Sequence, residues 1–574
     1  MEKVWNIAPS GDHDAADALG RSVGLNPILA NLLIRRGIDT PDKAQAFLNP
    51  DMSQLHDPYL MQDMGKAVAR LNDALARDER ILVYGDYDVD GATAVALVFK
   101  SLEHLVSSID RLGYYVPNRY TEGYGISRQG IDYAAKHGYS LVVALDCGIK
   151  AVEQMRYARQ LGIDFIICDH HVAGSELPDV VACLDAKRPD CSYPDKELSG
   201  CGVGYKLMQA LYISRGRDLE ELNEFTDLLV VSIASDIVPM VGENRVLASY
   251  GLRQINRRPN IGLRSIMYTA GVRPGHVTIA DIVFKIGPRI NAAGRMRNGS
   301  DAVRLLLCPT LTEADAISQL INDSNEQRKE LDREVTHEAM ELIGKHPQMQ
   351  KSHSTVIYEP RWSKGVIGIV ASRLTETFRR PAVILTRSQA EPGMAAGSAR
   401  SVVGFDLYSA IESCADLLKD FGGHTYAAGL TLAEENVPEF MRRFEAYAQQ
   451  HLPPEQNRTP HINIDCEVGL DDINNDLVEQ LARLEPFGPR NERPVFMTRD
   501  VFDYSTSKPF GRGRRHLKLD IIDSHGRAVR SGMGFGLGKL YANINHGQCF
   551  DVCFSVDNDE DRGISLNVID IKGH

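Results

Sequence analysis

The chain has 574 residues, 43% hydrophobic and 25% charged, which are the proportions of an ordinary globular protein and exclude global disorder or a fibrous repeat. Its formal net charge of −13 argues against non-specific adhesion to nucleic acid while leaving room for a local basic groove. No apolar run reaches the roughly 18 residues that span a bilayer, and the N-terminus MEKVWNIAPSGDHDAADALG lacks a charged start followed by an apolar stretch, so the expected location is the cytoplasm.

Length alone predicts about four domains at roughly 150 residues each. Residues 1–75 read as an N-terminal helical segment without chemical motifs. From residue 76 to 310 short apolar strands alternate with helical stretches: ILVYG (81–85), YYVP (114–117), LVVAL (141–145), DFIIC (164–168) and VVACL (180–184), with AVALVFKSLEHL (94–105) among the helices. That alternation predicts a parallel sheet with crossover helices, whose sites collect at the carboxyl ends of the strands. Residues 311–350 read as a long linking helix, free of Gly and Pro until its end. A second, smaller α/β unit follows over 351–452, with STVIY, GVIGIVASRL and PAVILT. The Pro-rich, polar HLPPEQNRTPH (451–461) is a linker, and 462–574 carries alternating β-like runs that predict a small barrel. Ten cysteines are scattered without a disulfide-like framework, and the close pair Cys549 and Cys553 lacks the other ligands of a zinc site.

The chemistry starts at GDYDVDG, directly after the first strand. Side chains of an extended chain alternate with period two, so Asp86, Asp88 and Asp90 are expected to project to one side, a costly cluster unless cations neutralise it. A calcium loop of EF-hand type fits the first six positions and fails at the twelfth, where Leu97 stands in place of a bidentate Glu. Asp146 ends the strand LVVAL, Asp169-His170-His171 ends DFIIC, and Asp236 follows the apolar run DLLVVSIA. Any one of these could be a solvated turn or a packed histidine. Together they supply the carboxylate and imidazole mix that suits two manganese or magnesium ions, the arrangement that clamps a phosphoryl centre.

GDYDVDGATA, ALDCGI, CDHHV and SDIVPM resemble the four sequential motifs of the DHH phosphoesterase superfamily. Further blocks narrow the resemblance to the RecJ family of single-strand-specific DNA exonucleases: VPNRYTEGYG, SGCGVGYKL, GPRINAAGRM, WSKGVIGIVASRL, GSARS, GGHTYAAGL and LEPFGPRNERPVF. The resemblance covers about residues 80–574. It implies an α/β protein in which a parallel-sheet DHH domain is joined by a long helix to a smaller DHH-associated domain, with a C-terminal OB-type barrel. It also implies two-metal, 5′ to 3′ hydrolysis of single-stranded DNA to 5′-mononucleotides in recombination and repair, as a monomer beside single-strand-binding protein and a helicase. Metal ligation is carried to Asp86, Asp88, Asp90, Asp146, His170, His171 and Asp236, with Asp169 as a ligand or an orienting group. The resemblance puts Arg119, Ser398 and Arg400 at the terminal 5′-phosphate, Arg289 near the scissile or an adjacent phosphate, and His424 by the cleft.

By its spacing alone GGHTYAAGL reads as a tight structural turn; with Ser398 and Arg400 of GSARS in the same domain, its glycines and small residues favour close backbone approach to a phosphate. In the last domain FGRGRRHLKL interleaves Arg512, Arg514, Arg515 and Lys518 with Phe510 and His516, the kind of basic, aromatic strand edge on which OB folds track single strands. Two glycine-rich stretches are discounted. GFGLGKL lacks the first Gly and the Ser or Thr of a phosphate loop, and SGCGVGY has Tyr205 where a dinucleotide fingerprint needs its third Gly. The competing functions are a DHH phosphatase for small substrates, which residues 462–574 count against, and a non-catalytic replication scaffold, which the complete ligand set counts against.

Overall fold

The computed structural model describes the chain apart from residues 1–2, 10, 390, 455–458, 460, 525, 527, 545–546, 560–562 and 574. Two compact units partition it, one of residues 55–458 and one that joins residues 1–54 to residues 459–574.

The larger unit is built on a five-stranded, all-parallel sheet. Its strands Ile81–Gly85 and Leu141–Leu145 are buried at every position, which explains why they read as unbroken apolar runs with no alternation. Across the sheet the order is Leu112–Tyr115, Ile81–Gly85, Leu141–Leu145, Asp164–Cys168 and Ala182–Leu184. The chain therefore steps outward from the Ile81–Gly85 strand and then crosses back over it. A topological switch point opens between Ile81–Gly85 and Leu141–Leu145, where α/β sheets bind ligands. Asp86 and Asp146 each stand one residue beyond those two strands. The crossover helix Val89–Glu103 is apolar on almost every side and is buried accordingly.

The linking helix runs Leu311–Lys345, with the Thr310 hydroxyl accepting from the Glu313 N–H at its start. Its first half buries Ala314, Ile317 and Ile321. Its last third carries Val335, Ala339 and Ile343 into a core with Ile357, Trp362, Val370 and Ile384 of the smaller domain. One helix thus belongs to two hydrophobic cores. The smaller sheet has the order Leu418–His424, Ala427–Ala433, Met394–Arg400, Ala382–Arg387 and Thr355–Tyr358. GGHTYAAGL is mostly strand here, since Gly422 pairs with Gly429 and Gly423 with Ala428, and the turn is confined to Thr425 and Tyr426.

In the other unit a seven-stranded sheet closes into a barrel where Phe502 and Asp503 of the strand Phe496–Asp503 pair with Ile522 and Ile521. The N-terminal segment packs against it. Helices capped by Asp12, Asn26 and Thr40 place Leu19, Leu29 with Leu33, and Leu48 respectively in one core with Ile473, Leu477, Phe550 and Val552. The strand Val4–Ile7 pairs in parallel with His461–Ile464.

Candidate functional site

Seven side chains converge at the switch point. The carboxylates of Asp86, Asp88 and Asp146 bring one oxygen each within 4.8 Å of one another, and Asp90, His170 and Asp236 do the same, as do Asp146, His170 and His171. The Nε2 of His170 lies 3.2 Å from Asp146, 3.6 Å from Asp236 and 3.8 Å from Asp90. All seven expected ligands are therefore in one place. They do not arrive there by strand alternation. Asp86 directly follows the strand; Asp88, still extended, is the N-cap of the crossover helix, accepting from the Gly91 N–H at 3.0 Å, and Asp90 sits in that helix's first turn. A strand-to-helix turn, not period-two alternation, folds the three acids into neighbouring corners.

The supports of this cluster explain several motifs at once. Asp90 accepts the N–H groups of Gly200 and Cys201 at 2.7 and 2.8 Å and the Ser232 hydroxyl at 2.7 Å. SGCGVGY is the start of helix Gly200–Ser214, with Ser199 as its N-cap, so its positive end is docked on a carboxylate. A Cβ at Gly200 would fall 2.7 Å from that of Asp146, which leaves glycine the residue that fits. Asp146 itself has a left-handed backbone, φ 56°, which Asp tolerates better than most residues. Asp169 is saturated: one oxygen takes the N–H groups of His170 and His171 and the His171 Nδ1 at 2.7 Å, and the other takes the Ile149 N–H. Burial opposes that charge, yet the bonds from His171 and Ile149 hold the carboxyl at about 2. Its geometry is that of an orienting group, fixing the His171 tautomer so that Nε2 remains for a ligand.

Asp86, Asp146 and Asp236 are less well compensated. Burial and the neighbouring Asp88 push Asp86 well above the usual carboxylate range, burial and Asp90 do the same to Asp146, and burial with Asp90 and Asp88 raises Asp236 to about 8. The Asp86 Oδ1 is buried with no partner among the described residues. Buried, mutually repelling carboxylates with an orphaned acceptor oxygen are the donor set that hard divalent cations satisfy. Two divalent ions, manganese or magnesium, fit these residues.

A second, cationic cluster lies beside Tyr87. The Arg119 guanidinium stacks over the Tyr87 ring at 5.1 Å. Arg400 donates to the Ser398 hydroxyl at 3.2 Å and to the Ala399 carbonyl at 2.8 Å, which fixes its head group. Arg295 is held down to about 10 by burial and by the charges of Arg119, Arg328 and Arg400, and burial with Arg119 depresses Lys364. Among the described residues no carboxylate pairs with Arg119, Arg295 or Arg400. Arg295, Arg328 and Lys364 had not been singled out in the sequence, although AAGRM and WSKG contain two of them. Arg289, from the same helix as Arg295, is elsewhere: it bonds Asn322 at 3.1 Å and the Lys285 carbonyl at 2.7 Å. His424 stands on the hairpin next to Tyr426, its imidazole held below its usual value by burial and by Lys150, His171 and Lys187.

On the barrel, Arg512, Arg514 and Arg515 are exposed in the turn joining the edge strand Lys508–Phe510 to His516–Ile522. Lys518 is instead paired with Asp520 at 3.0 Å. The His516 ring contacts Phe510 and Phe535, and Phe535 is 67% exposed, an aromatic position that the discounted GFGLGKL had hidden.

Comparison with known proteins gives three domain matches: the DHH family, N-terminal domain over residues 80–233, the DHHA1 domain over 351–450 and the RecJ OB domain over 464–570. The chain is 35% identical over 541 residues to the single-stranded-DNA-specific exonuclease RecJ of Bacillus subtilis, covering 94% of this chain and 66% of that one. Against the exonuclease of the same name from Salmonella typhimurium it is 31% identical, covering 95% of both. The crystal structure of RecJ in complex with Mn2+ from Thermus thermophilus superposes with a TM-score of 0.83 at 25% identity, over all of this chain and 80% of that one.

Proposed function

The chain belongs to the RecJ family, and from that premise we propose that it is a single-stranded-DNA-specific exonuclease that hydrolyses phosphodiester bonds from the 5′ end and releases 5′-mononucleotides. The observation that carries this reading is the adjacency of the acid–histidine cluster and the arginine cluster around Tyr87 and Arg119. One supplies a place for phosphoryl chemistry, the other an anion site beside Tyr87, the residue between Asp86 and Asp88.

Asp86, Asp88, Asp90, Asp146, His170, His171 and Asp236 would hold two divalent cations, which would supply neutralisation of the scissile phosphate and stabilisation of the departing 3′ oxygen. The chain's own residues prepare that site. Asp169 sets the His171 ring, the helix Gly200–Ser214 holds Asp90, and the fixed Arg400 head group grips phosphate in a charge-assisted bond. Arg119, Ser398 and Arg400 take the terminal 5′-phosphate. Arg295, half-buried and within electrostatic reach of Arg119 and Arg400, backs them. Arg289 and His424 retain the roles of contacting strand phosphate and lining the cleft. In this reading residues 76–310 serve catalysis, 351–452 form the associated domain and 462–574 serve grip.

We also propose that the protein acts as a monomer, where a helicase and single-strand-binding protein supply its substrate. Among the described residues no helix is long and apolar enough to cross a membrane. All ten cysteines are free and most are buried, which supports a reducing compartment such as the cytoplasm. The deciding experiment labels single-stranded DNA at either end, adds the protein with manganese and follows the products. Mononucleotides released from the 5′ label support the reading; loss from the 3′ end, or internal cuts, overturns it.

The barrel makes a separate prediction. Changing Arg512, Arg514 and Arg515 together to Ala should flatten the dependence of DNA affinity on salt, the log–log slope falling by about 0.7 for each phosphate the protein no longer neutralises. Changing Lys518, already paired, should do less. Point variants serve better than truncation, because removing residues 459–574 would also strip the core that Leu29 and Leu33 share. An unchanged slope would remove the barrel from the DNA path.

A further inference from the structure

Ile237 directly follows the candidate ligand Asp236 and combines two properties that apolar β-branched residues seldom show together. Its backbone is left-handed, φ 59°, and its side chain is 64% exposed. A β-branched residue in that region is a steric outlier that persists only when its surroundings impose it. Here Val238 and Met240, both buried, anchor the chain just beyond it, and the helix Thr226–Ser235 anchors it just before.

A second exposed apolar residue stands nearby. Phe284, 77% exposed, lies in a π-helical turn, Ile282–Ile286, that runs straight into the helix Gly287–Met296. Such turns recur at functional sites. The helix serves as a ruler along the site. Its first residue, Gly287, abuts Ser235, whose hydroxyl would lie 2.7 Å from an added Cβ, and Ser235 precedes Asp236. Near its other end Gly294 abuts the Tyr87 backbone and Arg295 joins the arginine cluster. At 1.5 Å per residue these ends are about 12 Å apart. Ile237 and Phe284 are therefore at the Asp236 end of the helix, away from Arg295 at its other end. If the terminal nucleotide lies between arginines and metal ligands, the rest of the strand must continue past Asp236 on this side.

We propose that Ile237 and Phe284 form an apolar subsite for the base of the second nucleotide, the one whose 5′ phosphate is cut, and that the left-handed backbone at Ile237 turns its side chain toward that base. This rests on the exonuclease reading and adds a specificity element to it. The base is held by its flat apolar face, so all four bases are accepted, while a strand without a base there forgoes that stacking.

The test is a cycle between protein and substrate. Release of the first nucleotide is measured with the full chain and manganese on 5′-phosphorylated strands carrying either a normal or an abasic second residue. In the wild type the abasic residue should slow release by about tenfold, the scale of one stacked base. Ile237→Gly, which removes both side chain and strain, should slow release by a similar factor on the normal strand and add little on the abasic one. Ile237→Asn, which tolerates the left-handed backbone but is polar, should match it. Should Ile237→Gly fail to fold, Phe284→Ala carries the same comparison from an exposed position. Equal slowing of both strands by the variants, or a wild type indifferent to the missing base, overturns the subsite. A wild type that releases no nucleotide from either strand overturns the exonuclease reading and the subsite with it.

Discussion

Asp146→Asn should lower kcat/KM for nucleotide release by about a thousandfold or more, roughly 4 kcal/mol in transition-state stabilisation. Asp146 has an oxygen in two of the three ligand groups, with Asp86 and Asp88 and with His170 and His171, so its loss disables both at once. Asn keeps the shape and accepts the left-handed backbone, which makes it a cleaner test than Ala. Stability should move the other way. In the metal-free protein burial and the charges of Asp90, Asp88 and Asp86 hold the Asp146 carboxyl well above its ordinary value. A folded-state value raised above the unfolded one of about 3.9 means that ionisation opposes folding, so this group's stabilising contribution is present at low pH and is lost as pH rises. The variant should therefore match or exceed the wild-type Tm without metal, with an advantage that is largest at alkaline pH and fades on acidification. Its rise in Tm on adding manganese should shrink. Activity within tenfold of wild type, or an unchanged manganese shift, would remove Asp146 from the site.

Arg400→Ala should cost about ten- to a hundredfold in kcat/KM on strands with a 5′-phosphate and far less on strands with a 5′-hydroxyl. The interaction at stake is charge-assisted, worth about 1.5–3 kcal/mol. Its head group is already oriented by Ser398 and Ala399, and no carboxylate competes for it among the described residues. Arg119 across the pocket depresses it further, as burial does, so an arriving dianion relieves repulsion as well as forming bonds. The ratio between the two strand types is the measurement. An equal loss on both would mean that Arg400 supports the fold or the strand path generally, and end recognition would have to lie elsewhere.

Much of this was legible in the residues because strand ends are conspicuous. LVVAL followed by Asp146, and DFIIC followed by Asp169, mark the carboxyl edge of a buried parallel sheet, where an acid has little structural reason to be. The long helix was equally plain, since no Gly or Pro interrupts it before Gly344, the next-to-last of its thirty-five residues. What was not legible depended on distance in the chain. Arg295, Arg328 and Lys364 come from three separate segments and look individually like any of the 64 basic residues. Asp90 reads as one more acid in a row, and only the fold shows that it also holds a helix start 110 residues later. The pairing of Val4–Ile7 with His461–Ile464 has no local signal at all, because a parallel partner more than 450 residues away leaves no trace in nearby spacing.

That pairing, with the core shared by Leu29, Leu33 and the barrel, sets a clock on biosynthesis. The first 54 residues leave the ribosome long before residues 459–574 exist, and at about 5–20 residues per second the wait is roughly twenty seconds to two minutes. During it, helices capped by Asp12, Asn26 and Thr40 display Leu29, Leu33 and their neighbours to water with nothing to cover them. The nuclease unit between can fold in the interval, so the polypeptide matures from the middle outward and its two ends close last.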